Sequence, residues 1–248
     1  MMSKANDRRA VVTGAASGIG YAMVERLLDE GVAVLAVDIN GKGMAPLAPL
    51  GAETLVASVA DAEGRARIAD AAGDIDYLVN SAGVLFVESI WDVSLDDWRR
   101  LYAVNVEGTF FLTQRLGRSI RDGGAIVNLA SSSAKLSTTT EVTPYSSSKA
   151  AVVGITRSFA YALAPRVRVN AILPGIVDTP MQVAVLEKVG PMRGTTAEAL
   201  HEGRLKSVPL SRSATPAECA GAIWWLLSDD AGYMTGQAIN YTGGLVTW

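Results

Sequence analysis

Thr13-Gly14-Ala15-Ala16-Ser17-Gly18-Ile19-Gly20 follows directly on the apolar run 10–13 and leads into a segment with Met23, Leu27 and Leu28 on one helical face. Strand, glycine turn and amphipathic helix in that order make an anion site. Glycines permit a sharp turn and let backbone N–H groups approach an anion without Cβ clashes, and the helix N-terminus adds orphan donors and partial positive charge. The unit reads as a diphosphate cradle carried by Gly14, Ser17, Gly18, Ile19 and Gly20. No lysine stands in the loop, which excludes a Walker-type nucleoside triphosphate site.

Outward from this loop, valine- and isoleucine-rich runs at 32–38, 54–57, 77–80, 125–130, 167–171 and 238–241 alternate with helical periods around 19–30, 63–72, 95–118, 146–163 and 216–228. With the run at 10–13 this predicts an α/β chain with seven parallel strands and helices on both faces. Asp38 ends the second run, eighteen residues past Gly20, where a dinucleotide fold places the acid that bonds a ribose 2′-hydroxyl. A carboxylate there repels a 2′-phosphate, and neither the loop nor Ile39-Asn40 carries a base to hold one, so the cofactor expected is NAD in preference to NADP.

The bulk properties narrow the possibilities. A chain of 248 residues, 49% hydrophobic and 19% charged, reads as one globular domain over 1–248. A net charge of −3 with interspersed signs offers no footprint for nucleic acid or an anionic membrane. Cys219 is the only cysteine, so no intramolecular disulfide and no multi-cysteine metal site can form, and no metal is expected. The segment Met1 to Arg9 is polar, without a secretory apolar stretch, which together with the lack of a membrane-length apolar run predicts a cytoplasmic protein. Between about 179 and 215 the alternation is interrupted by a stretch holding Met181, Met192, Arg193, His201, Arg204 and Lys206, which reads as a substrate-loop insertion over one end of the sheet.

Tyr145-Ser146-Ser147-Ser148-Lys149 places an acid and a cation one helical turn apart. A nearby ammonium favours the phenolate and lowers the pKa of Tyr145, so the phenol can exchange a proton with a substrate alcohol. The spacing alone is weak; its force comes from company. Thr13-Gly14-x-x-x-Gly18-Ile19-Gly20, Asp61, Asn80-Ser81-Ala82-Gly83, Asn105, a serine after the fifth strand, Tyr145-x-x-x-Lys149 and Pro174-Gly175 stand in one order along the chain. In that order they resemble the short-chain dehydrogenase/reductase superfamily in its classical form, over essentially the whole chain.

The resemblance implies a Rossmann-type doubly wound sheet, with Tyr145 as general acid/base, Lys149 lowering its pKa and holding the nicotinamide ribose, a serine polarising the substrate oxygen, and Asn105 placing a water that links Lys149 to solvent. Strand register through Ile126-Val127-Asn128 selects Ser131 as that serine, with Ser132 the alternative from the usual spacing to Tyr145. For the cofactor it implies Asn80, Ala82 and Gly83 beside the adenine ribose, Asp61 at the adenine edge, and Pro174, Gly175, Val177 and Thr179 around the nicotinamide carboxamide. Ser81 stands where many relatives carry asparagine.

The expected partner is a small alcohol or ketone, a secondary alcohol such as a sugar or polyol, with Ser133, Leu136, Glu141, Thr143 and Met181 as candidate walls. A 3-oxoacyl reductase or a hydroxysteroid dehydrogenase is the enzymatic alternative, and a catalytically silent NAD-binding regulator the alternative of another class. The resemblance also implies a homotetramer built on the helices around 95–118 and 146–163, with Trp248 near a subunit boundary.

Overall fold

Along β1 (Arg9–Thr13), Ala10 and Val12 point to one face and Val11 to the other, and all three are fully buried. A strand buried on both faces belongs to the middle of a parallel sheet. The computed structural model describes residues 7–248, and the first six residues of the polar N-terminal segment lie outside that range.

Six further strands, β2 (Ala33–Asp38), β3 (Glu53–Val56), β4 (Ile75–Asn80), β5 (Ile120–Leu129), β6 (Arg168–Pro174) and β7 (Ala238–Tyr241), join β1 in the order β3-β2-β1-β4-β5-β6-β7, every pair parallel. The helices among the described residues are α1 (Gly18–Asp29), α2 (Gly41–Met44), α3 (Ala62–Ala72), α4 (Leu95–Tyr102), α5 (Thr109–Leu116), α6 (Thr143–Leu163), α7 (Pro180–Met192), α8 (Ala197–Leu205) and α9 (Pro216–Leu227). Met23, Val24 and Leu27 of α1 pack with Ile223, Leu226 and Leu227 of α9 against Val12, Val34, Val79 and Val127. Ile68 of α3, Leu112 and Leu116 of α5 and Ala160 of α6 cover the opposite face over Val11, Leu35, Leu78 and Ile126. Each buried leucine contributes about 1.5–3 kcal/mol through removal from water. This is the doubly wound sheet the alternating pattern predicts.

Local signals set the helix starts. Pro216 occupies the first turn of α9, the Thr215 hydroxyl accepts from the Glu218 N–H at 3.2 Å, and the Glu218 carboxylate accepts from the Thr215 N–H at 2.8 Å. Because β1 connects to β2 on one side and the chain later returns to β4 on the other, the strand order reverses between β1 and β4. A crevice opens at the carboxyl ends of the strands at such a reversal.

Three local departures from the sequence reading matter. The helix expected over 95–118 is α4 and α5 joined by a π-helical stretch, Ala103–Gly108, that contains Asn105. β5 starts at Ile120, five residues before the expected run, and its pairing with β4 shifts between Ile75 and Tyr77; Gly123 at φ +86° accommodates the irregularity. The stretch at 179–215 carries α7 and α8, capped by Thr179 and Thr196, whose hydroxyls accept from Gln182 and Ala199 N–H. No residue of α8 is buried in apolar packing, so the apolar period that would have announced that helix is missing. No described helix is long and apolar enough to cross a membrane.

Candidate active site

A cavity of about 340 Å³ opens at the carboxyl ends of β1, β2, β4, β5 and β6. Gly14, Ser17, Gly18, Ile19, Gly20, Asp38, Ile39, Ala82, Gly83, Ser131, Tyr145, Lys149, Pro174, Gly175, Val177 and Thr179 all line it. Residues spread over most of the chain are thus brought to one wall system by the sheet.

At the glycine loop, φ at Gly14 is +69°, and a Cβ there would lie 2.7 Å from the Ala82 nitrogen, so only glycine fits between the two loops. Ser17 precedes α1 in an extended conformation and makes no side-chain cap. The first N–H groups of α1 therefore keep their donor capacity, and a diphosphate fits that end of the cavity. Asp38 closes the same end. Its carboxylate accepts from the Ala16 N–H at 3.0 Å and the Asn40 N–H at 2.9 Å, tying the end of β2 to the loop.

Across the cavity, Tyr145 and Lys149 rise from the first turns of α6. The Lys149 ammonium donates to the Leu129 carbonyl at 2.7 Å and stands 5.6 Å from the Tyr145 ring centroid. Burial pushes the Tyr145 phenol up to about 12, opposed by the nearby Ser131 side chain, and burial draws Lys149 down to about 8. The expectation that the ammonium sets a lowered phenol is corrected here: desolvation is the larger influence, and Lys149 addresses the ring and a carbonyl, not the hydroxyl. The Ser131 hydroxyl also accepts from the Ser133 N–H at 3.1 Å. Ser132 is buried too, and lines both this cavity and a second one of about 130 Å³ next to it.

Three expected contacts lie off the cavity wall. Asp61 caps α3, accepting from the Gly64 N–H at 2.7 Å, and that bond lowers its pKa; Ala57, Ser58 and Val59 line the cavity in its place. An acid one residue before a helix has a ready use at the helix itself, which competes with any outward role. Asn80 lies under the floor, donating to Thr113 Oγ1 at 3.0 Å and to Asn128 Oδ1 at 2.8 Å. Asn105 is fully buried; its Oδ1 accepts from the Val84 N–H at 2.9 Å, while its Nδ2 donates to the Val84 carbonyl and the Ser148 hydroxyl, each at 3.0 Å. Asn105 thereby clamps the loop after β4 to α6.

Among the substrate candidates, Ser133 and Met181 line the main cavity and Leu136 the second. Glu141 is held at about 2 by a two-point bond with Arg193 at 2.7 and 2.6 Å. The Thr143 hydroxyl is turned to the Thr140 carbonyl at 2.8 Å. Cys219 is buried and its thiol is pushed up to about 12, which makes it inert. Among the described residues no three His, Cys, Asp or Glu side chains cluster as metal ligands.

Two lining residues had no motif to announce them. Gln182 and Arg204 reach the cavity from α7 and α8, and only the packing of those helices over the sheet end places them there.

The family profile described as Enoyl-(Acyl carrier protein) reductase matches residues 14–246. The chain is 38% identical to a D-threitol dehydrogenase of Mycolicibacterium smegmatis, over 95% of this chain and 91% of that protein. It is 34% identical to a 3-oxoacyl-acyl-carrier-protein reductase of Thermotoga maritima, over 95% and 96%. Among solved structures, a substituted actinorhodin polyketide ketoreductase with NADPH superposes with a TM-score of 0.88 at 30% identity, covering 100% of both chains. With the doubly wound sheet, the glycine loop and the Tyr145 and Lys149 pair in one cavity, these likenesses show that the chain belongs to the short-chain dehydrogenase/reductase superfamily, oxidoreductases acting on CH–OH groups.

Proposed function

We propose that this protein moves a hydride between NAD and a secondary alcohol or its ketone, with Tyr145 as general acid/base. The observation that carries this reading is that Ser131, Tyr145 and Lys149 line the same cavity as the glycine loop and Asp38. With its diphosphate at the loop, the dinucleotide would supply the hydride acceptor for oxidation and the donor for reduction. Glycines 14, 18 and 20 and the N-terminus of α1 would hold the diphosphate, and the Asp38 carboxylate would meet the adenosine ribose and disfavour a 2′-phosphate. Pro174, Gly175, Val177 and Thr179 line the carboxamide end.

Ser131 donates to the substrate oxygen, and Tyr145 takes the hydroxyl proton in oxidation or returns it in reduction, contributing about 10²–10⁴ in rate. A phenol held near 12 is a proton donor at neutral pH, so the side chain is ready to protonate a ketone oxygen. For the reverse reaction the Ser131 side chain favours the phenolate. Asn105 positions the Val84 loop and α6 around this pair. A polyol or sugar is the substrate class closest to the D-threitol dehydrogenase likeness, with 3-oxoacyl reduction the second reading, supported by the Thermotoga maritima relative.

In the same proposal the chain is one catalytic domain, cytoplasmic, working as a homotetramer. Phe111 on α5 and Tyr161 on α6 are 42% and 89% exposed, apolar surface on the two helices expected at a subunit contact. Screening NAD reduction against sugars, polyols, hydroxy acids and steroid alcohols tests the reading. Turnover of a secondary alcohol with NAD supports it; activity confined to NADP, or to none of these classes, counts against it.

A further inference from the structure

Arg204 is a cation in the cavity with nothing to pair with among the described residues. It lies near the end of α8 and lines both the main cavity and the adjoining one of about 130 Å³. The one charged side chain that acts on it is another cation, Arg193, and no described carboxylate bonds it. Arg193 itself is already paired, with both oxygens of Glu141. Beside the same cavity, the Gln182 carboxamide nitrogen on α7 is buried without a hydrogen-bond partner among the described residues. A half-buried guanidinium and a buried orphan donor both carry a desolvation cost that an incoming acceptor would offset.

The position of Arg204 separates substrate from cofactor. The two cavities share Ser132, Ser133, Thr139, Val185 and Arg204, whereas the glycine loop and Asp38 line only the first. Arg204 therefore stands at the serine end, where the reacting oxygen is expected, and away from the diphosphate end.

Resting on the proposed alcohol chemistry, we infer that the substrate carries an anionic oxyacid group, a carboxylate or a phosphate, received by Arg204 with Gln182 as a second donor. Hydroxy acids, sugar acids and phosphorylated polyols share this chemistry, and neutral polyols lack it. A guanidinium binds either group through two parallel N–H bonds, and such charge-assisted bonds are about twice as strong as neutral ones.

The test measures binding in matched pairs by calorimetry, with and without NADH: 3-hydroxybutyrate against 3-hydroxybutyramide, and glycerol 3-phosphate against glycerol. We expect one anion of the two pairs to bind about 100-fold more tightly than its neutral partner, and the pair that shows it identifies carboxylate or phosphate. Arg204→Gln should collapse that preference to within about threefold, while Arg204→Lys, which keeps the charge, should retain a preference of at least about tenfold. Equal affinity within both pairs overturns the inference. So does an Arg204→Gln protein, folded by circular dichroism, that keeps the full preference, or one that weakens NADH binding tenfold, since the guanidinium would then serve the cofactor. NADH binding and hydride transfer from any secondary alcohol are recorded separately, so failure of the proposed function is told apart from failure of the anion site; the measurements without cofactor answer for Arg204 in either case.

Discussion

Asn105 and Lys149 face each other across Gly83: a Cβ built at that glycine would lie 3.5 Å from Asn105 Oδ1 and 3.4 Å from Lys149 Nζ. The asparagine comes from the π-helical stretch and the lysine from α6, and the loop after β4 passes between them. Asn105 is the fastening of this junction through the Val84 backbone and Ser148. Asn105→Ala leaves the Val84 N–H without its partner, and is expected to lower unfolding free energy by about 1–3 kcal/mol. Urea denaturation checks it; an unchanged midpoint would show that the clamp carries no stability.

Lys149 gives stability a pH dependence of known sign. Its folded pKa, about 8, lies below the ordinary 10.5, so between these values the unfolded chain holds a proton the folded protein has released. Stability then rises with pH across that window, by at most about 1.4 kcal/mol per unit. Tyr145 works oppositely at higher pH: raised from 10.0 to about 12, it makes stability fall as the unfolded chain ionises first. Unfolding of wild type and Lys149→Met should diverge between about pH 8 and 10.5, the variant lacking the rise. Parallel curves would contradict the burial of the ammonium.

Ser131 and Ser132 are separable by kinetics. Ser131 lines the cavity with Tyr145 and opposes the rise of its pKa, while Ser132 also borders the second cavity. Ser131→Ala should lower kcat by about 10²-fold or more, as loss of an oxyanion donor does, and Ser132→Ala by less than about tenfold. The reverse order of losses would move the catalytic hydroxyl one residue along.

Asp38 should decide the cofactor. Wild type is expected to bind NADH more tightly than NADPH in a fluorescence titration, and Asp38→Ser to narrow the gap by about tenfold or more as the repelling charge goes. Because Asp38 also accepts from the Ala16 and Asn40 N–H groups, the variant should lose about 1–2 kcal/mol of stability. Tighter NADPH binding by the wild type would defeat the assignment.

Much of this arrangement is legible in the residues. Ala10, Val11 and Val12 betray a strand buried on both faces, and glycines at 14, 18 and 20 mark the turn that follows it. Asp61 shows where such reading stops. Its place after β3 suggests an outward role, and the helix that begins at the next residue also takes one of its oxygens, Oδ1, as a cap, a second use visible only once the helix start is fixed. The phenol of Tyr145 is similar: spacing announces its partner Lys149, but depth of burial determines which way the pKa moves. Gln182 stays hidden, and Arg204 is legible only as one residue of the interrupted stretch, because α7 and α8 carry little apolar period and their positions follow from how those helices lie over the sheet end.

The central claim concerns one oxygen atom, the phenolic oxygen of Tyr145. Tyr145→Phe removes it and leaves the ring in place, so NADH binding, followed by fluorescence, should be unchanged, while turnover of a secondary alcohol with NAD falls by about 10²–10⁴. A Tyr145→Phe enzyme that binds cofactor and keeps full turnover would contradict the account.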